Sequence, residues 1–219
     1  MKKIIAFDCD STLSAIEGVD ELARLAGDDV FRQVEDLTNQ AMNGEVPIEE
    51  VFGRRLDLIK PTRQQCDAIG QMYLDEIEPT ARETIAALQA DGWECLIISG
   101  GFFPCIEPLA KDLGIERIEA VPLHFDDKGN YLGFDKGYPT TRDGGKPEII
   151  SSIRENQSPE IIVMVGDGVS DLETTPVVEH FIGFLRYAER PKVTANCIHC
   201  AKSLIEILKI TGGIVIFQK

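Results

Sequence analysis

Short apolar runs, each closed by a small polar cluster, restrict most strongly what this chain can become. Ile4 to Phe7 ends in DCDST, WECLIIS ends in Ser99-Gly100-Gly101, EIIVMV ends in GDG, and HFIGF is a further short run. Helical patterns separate them: ARETIAALQADG, which stops at Gly92, a segment leading to Gly114, and KPEIISSIRE. Apolar strands alternating with helices predict an α/β fold on a parallel sheet. The turn-rich stretch VPLHFDDKGNYLGFD predicts a hairpin across Asp127 to Asn130.

Between the first and second runs the pattern is helical. VDELARLAG, VFRQVEDLTNQAM, IEEVFGRRLDLI and RQQCDAIGQMYLDEI follow one another, punctuated at Asn43-Gly44 and Lys60-Pro61. Residues 15–77 are therefore expected to form a small helical cap, inserted into a core made of residues 1–14 and 78–219. A chain of 219 residues is long enough for such an arrangement without metal or disulfide staples. Acids number 37 and bases 22. A surface this negative repels phosphate backbones and anionic bilayers, so neither nucleic acid nor membrane is an expected partner. No run approaches the roughly 20 apolar residues of a membrane helix, and the start MKKIIAFDCD is too short for a signal peptide. The expected setting is the cytoplasm, as a monomer or homodimer. The six scattered cysteines, Cys197 and Cys200 included, read as reduced thiols.

Polar clusters recur where strands end or a helix begins. They are Asp8 and Asp10 with Ser11 and Thr12, Ser99 with Gly100 and Gly101, Lys146, and Asp167 with Asp171. Open α/β sheets bind ligands outside the carboxyl ends of their strands, so these distant residues are expected to converge. Asp8, Asp10 and Asp167 are hard oxygen donors suited to Mg²⁺. Ser99, Lys146 and glycine-borne N–H groups suit phosphate oxygens. A metal and a lysine would offset phosphate charge and let a carboxylate approach phosphorus. One Asp can attack as a nucleophile; a second, two residues on, can act as general acid and then base. Each cluster alone is a common turn or solvated loop, and it is their joint order that points to chemistry.

FDCDST, IISGG, GGK and VGDGVSD, in this order, resemble the motifs of the haloacid dehalogenase-like phosphohydrolases. DCDSTLSAIEGVDELA, QAMNGEVPIEEVFGRRLDLIKP, GFDKGYPTTRDGGK and GDGVSDLET are similar to stretches of the phosphoserine phosphatase family, and the likeness runs from Met1 to about Phe184. The resemblance implies a Rossmann-like core, a helical cap and dependence on Mg²⁺. It implies Asp8 as the nucleophile and Asp10 as the group that protonates the serine oxygen, then activates water. The metal would sit on Asp8, the Asp10 main-chain carbonyl and Asp167. Ser99, Gly100 and Lys146 would hold the phosphoryl group, with Asp171 in support. Glu17 matches the acid that meets the substrate ammonium and Arg55 the arginine that pairs with its carboxylate, while Met42 and Gly44 border the pocket. The implied reaction takes L-phosphoserine to L-serine and phosphate through an aspartyl phosphate.

Phosphoserine carries a cation, a carboxylate and a phosphate of about −2 charge, so its site needs one acid and one base beyond the phosphate machinery. Arg54 competes with Arg55 for the second role. The sequence also departs from the family: Asn43, Ile48 and Leu185-Arg186-Tyr187 replace its usual residues, and the tail ITGGIVIF suggests an edge strand or a subunit contact. A related small-molecule phosphatase or a phosphoserine-dependent phosphotransferase is the nearest alternative. A phospho-acceptor signalling domain is the alternative of another class. It is disfavoured because Asp10 stands beside the acceptor and because a cap would have no role there.

Overall fold

The computed structural model of the protein describes residues 2–42, 46 and 48–213. Strand β1 (Lys3–Phe7) lies inside the sheet with a parallel neighbour on each side. β2 (Trp93–Phe102) and β3 (Arg117–Val121) extend the sheet one way. A separate antiparallel hairpin, β4 (Leu123–Phe125) and β5 (Tyr131–Phe134), follows where the turn signals place it. β6 (Ile161–Gly166), β7 (His180–Phe184) and β8 (His199–Ala201) complete the other side. The order is β3-β2-β1-β6-β7-β8, with every pairing parallel. The α/β class expected from the sequence is the fold.

Two strands escaped the sequence pattern, both at sheet edges. RIEAV in β3 carries charge on a half-exposed face, and β8 is three residues long. Neither is an apolar run, because an edge strand is not buried on all sides. Among the described residues the last helix, α10 (Ile207–Gly212), follows β8 and the short turn Leu204–Glu206. The tail expected as an edge strand or contact is residues 210–217: Ile210–Gly212 close the last helix instead, and 214–217 lie outside the described residues.

Alternation along the strands builds two cores. Ile5, Phe7, Ile97, Val163, Val165 and Ile182 face one layer, while Ile4, Ala6, Leu96, Ile98, Ile162 and Met164 face the other. Helices α1 (Gly18–Ala26), α2 (Asp28–Met42), α3 (Ile48–Ile59) and α4 (Arg63–Asp75) all lie between β1 and β2. The chain leaves and re-enters the core side by side: Ser14 and Ile77 form an antiparallel bridge, Ala15 N donates to Glu76 O at 2.9 Å, and Glu78 N to Leu13 O at 2.9 Å. α5 (Ala81–Ala90) and α6 (Phe103–Asp112) join the first layer. α7 (Gly145–Gln157) covers the second through Ile149, Ile150 and Ile153. α8 (Val169–Leu172), α9 (Pro191–Asn196) and α10 (Ile207–Gly212) are short. None of the described helices is long and apolar enough to cross a membrane.

One cysteine expectation is corrected. Cys197 and Cys200 are joined by a disulfide across the end of α9, because the turn into β8 brings their sulfurs together. Cys9, Cys66, Cys95 and Cys105 are buried free thiols, as expected. Trp93 is core.

Candidate active site

The strand order fixes where chemistry can gather. The chain builds β2 and β3 on one side of β1, then returns to build β6 on the other. Such a reversal opens a crevice at the carboxyl ends of the two central strands. Phe7 is in register with Val165, and Asp8 N donates to Val165 O at 2.9 Å. Asp8 and Asp167 thus emerge next to each other from β1 and β6.

After Asp8 the backbone makes a tight turn over Cys9–Leu13. Asp10 is extended and Ser11 adopts a positive φ of 51°. The Asp8 side chain accepts from Cys9 N at 2.7 Å, and its other oxygen lies 2.8 Å from Lys146 Nζ. Cys9 itself is fully buried in the core, as the alternation requires. Lys146 sits in the first turn of α7, 4% exposed, and its ammonium also donates to Asp171 Oδ1 at 2.6 Å. Asp171 Oδ2 accepts from Gly168 N at 2.9 Å. A Cβ on Gly166 would overlap the Asp171 carboxyl, so glycine at the end of β6 is what admits this side chain. Ser99, 1% exposed at the end of β2, accepts from Gly101 N at 3.0 Å.

Carboxylate oxygens of Asp8, Asp167 and Asp171 all lie within 4.8 Å of one another. Asp10 and Glu17 add two more acids, against the cations Lys146 and Arg190. Burial, then the charge of Asp8, pushes the Asp167 carboxyl up to about 6. Burial, Glu17 and Asp8 push Asp10 well above the usual carboxylate range; Tyr73 O–H and Gly18 N–H act against that. Glu17 is also raised, mainly by burial. Burial works to lower the Lys146 pKa, but Asp171 and Asp8 together lift it above the ordinary lysine range. The cluster therefore holds surplus negative charge on hard oxygen donors. A divalent cation of the Mg²⁺ kind fits that donor set. Asp171 is fully buried and engaged by Lys146 and Gly168, whereas Asp8 and Asp167 stand at the ends of the adjacent strands β1 and β6 and keep some exposure, which favours them as the carboxylates that would meet it.

The expected recognition residues come from the helical segment. Glu17 immediately precedes α1 and accepts from Ser11 Oγ at 2.7 Å. Arg55, on α3, is half-buried. Its Nη1 lies 3.5 Å from Thr38 Oγ1, and its buried Nε has no partner among the described residues. Burial lowers its pKa, and nearby Asp20 and Glu17 oppose that. Arg54 is exposed and lies 3.7 Å from Glu50. Met42 ends α2, and Gly44, like Asn43, lies outside the described residues.

Two residues of the site carried no motif. Arg190, at the start of α9, donates from Nε to Asp167 Oδ2 at 2.8 Å and reaches Glu17 Oε1 at 3.5 Å. The loop after β7 thus brings positive charge to the site through Arg190, whereas Arg186 turns to Lys202 O at 3.3 Å and to Glu78 at 4.0 Å. Tyr73, fully buried on α4, donates its hydroxyl to Asp10 Oδ1. An aromatic residue in an amphipathic helix reads as core, and only the tertiary fold brings its oxygen to Asp10.

The haloacid dehalogenase-like hydrolase family model matches residues 5–175. Phosphoserine phosphatase of Bos taurus is 37% identical over 206 residues, covering 93% of this chain and 91% of its own. A solved phospho-aspartyl intermediate analogue of a phosphoserine phosphatase superposes with a TM-score of 0.80 at 30% identity, covering 95% of this chain and 98% of that one. A substrate-bound phosphoserine phosphatase complex gives 0.80 at 29% identity, covering 96% and 98%. Crevice, family model and relatives agree, and the chain belongs to the haloacid dehalogenase-like hydrolases, among the phosphoserine phosphatases.

Proposed function

We propose that this protein hydrolyses L-phosphoserine to L-serine and phosphate, with Asp8 as the nucleophile. The observation that carries the reading is the crest of β1 and β6. Asp8 is held there between Cys9 N–H and Lys146, beside Asp167, with Asp10 two residues on.

Lys146, Ser99 and the backbone at Gly100 surround the place where the phosphoryl group would sit. Asp8 attacks phosphorus as the bond to the serine oxygen breaks, and Asp10 gives that oxygen a proton. Its raised pKa suits the donor role. Asp10 then takes a proton from water as water attacks the aspartyl phosphate and releases Asp8. Asp8, Asp167 and the Asp10 main-chain carbonyl are the groups that would hold Mg²⁺, which when bound offsets phosphate charge. Asp171 keeps Lys146 in place. Glu17 would meet the ammonium, and Arg55, rather than exposed Arg54, the carboxylate, a task suited to a planar fork of donors. Residues 15–77 act as the cap that carries these two groups, and the working environment is the cytoplasm.

The test is phosphate release with and without Mg²⁺ from L-phosphoserine, D-phosphoserine, phosphothreonine, phosphoglycolate and an aryl phosphate, with Asp8→Asn as blank. Preference for L-phosphoserine, lost in the blank, is the expected result. Activity on the aryl phosphate alone would reject the serine assignment and keep the mechanism. A homoserine arm reads transfer to another hydroxyl.

A further inference from the structure

Tyr73 is fully buried near the end of α4, and its hydroxyl donates to Asp10 Oδ1. A buried phenol needs a partner, so the bond alone could be simple satisfaction of a core residue. The surroundings say more. A Cβ on Gly18 would overlap the Tyr73 hydroxyl, so glycine at the start of α1 is what leaves room for this oxygen. Gly18 N–H, nearby, acts with the phenol to lower the Asp10 pKa against burial. The carboxyl thus meets its hydroxyl donor from the helical segment. Tyr73 also stands four residues before Ile77, which bridges to Ser14 where the chain leaves and re-enters the core. Phenylalanine would fill the same apolar volume; what tyrosine adds is the donor.

We propose that Tyr73 is a positioning residue: its O–H fixes the Asp10 carboxyl so that Oδ2 faces the departing serine oxygen and then water. The inference rests on the reading of Asp10 given above. In the first step the proton leaves Asp10 Oδ2 for the serine oxygen while the phosphorus–oxygen bond to serine breaks and that to Asp8 forms. In the second, Asp10 recovers a proton from water as the new phosphorus–oxygen bond forms and the bond to Asp8 breaks. Tyr73 keeps its own proton throughout.

Single-turnover release of serine from phosphoserine, and of nitrophenol from p-nitrophenyl phosphate, tests this in wild type, Tyr73→Phe, Asp10→Asn and the double variant. Nitrophenolate leaves with little help from a proton, whereas serine alkoxide does not. Tyr73→Phe should slow serine release by about tenfold or more. Half-saturation and nitrophenol release should stay within about twofold, because the lost group touches neither substrate. The double variant should be no slower than Asp10→Asn. Both substrates meet the same enzyme, so the ratio of their rates stands even where part of a variant fails to fold. Gly18→Ala, which keeps the phenol and displaces its oxygen, should move that ratio the same way. Equal slowing of both leaving groups, additive loss in the double variant, or an unchanged ratio in either substitution would overturn the inference. A wild type inactive on phosphoserine would instead sink the substrate reading. An unchanged ratio beside an active wild type sinks only the role of Tyr73.

Discussion

The two halves of the site are built to different standards. At the crest of the sheet, Asp8, Lys146 and Asp171 each have two polar partners at 2.6–2.9 Å, all near a strand end or a helix start. On the helical segment, Arg55 has one contact at 3.5 Å and a buried Nε with none among the described residues. Burial without a partner is costly for a guanidinium. On the proposed reading, the groups that would meet the phosphate are held in place before substrate arrives, while Arg55 keeps bonding capacity that a carboxylate would fill.

The contrast can be broken at its stronger end first. Asp8→Asn should lower turnover of any phosphomonoester by a factor of at least about 10³, since no other carboxylate occupies its place. A residual rate within tenfold of wild type would move the nucleophile elsewhere. Arg55→Ala should reduce kcat/KM for phosphoserine by about a hundredfold and for an aryl phosphate by less than about threefold. Arg54→Ala should change neither. Equal losses on both substrates would mean that Arg55 does not read the carboxylate.

Asp167 sharpens the comparison through pH. Its carboxyl, near 6 in the fold, lies above an unfolded value of about 3.9. Between those values the native state binds more protons than the unfolded one, so stability falls as pH rises through that window and levels off above it. In chelator, this loss should amount to about 3 kcal/mol and be missing from Asp167→Asn. Mg²⁺ added at pH 7 should restore it in the wild type. Parallel melting curves for the two proteins across pH 4 to 7 would refute the assignment. The smallest effect belongs to the disulfide. Cys197 and Cys200 are three residues apart, so reducing the bond releases only a short loop and should cost at most about 2 kcal/mol, read as a modest fall in Tm.

The parts of the site legible in the sequence share one property. Asp8, Asp167, Ser99 and Lys146 are set by local grammar, a strand that must end or a helix that must start. A buried parallel strand is an unbroken apolar run, so its end is visible, and in an open α/β sheet such ends are where ligands bind. Edge strands β3 and β8 lack that signal because half their surface faces water. The choice between Arg54 and Arg55 is one of helix face. Adjacent residues on a helix point about 100° apart, and only the packing of α3 decides which one turns inward.

Sequence by itself determined the α/β class, the two central strands and the polar residues at their ends. All of these follow from burial and backbone geometry within a few residues. Tertiary structure decided what meets across long separations. Tyr73 reaches Asp10 over 63 residues and Arg190 reaches Asp167 over 23. It also joined Cys197 to Cys200 and engaged both oxygens of Asp171. Such contacts depend on how helices dock and how loops return, and those are set by the sum of all the packing rather than by any local run of residues.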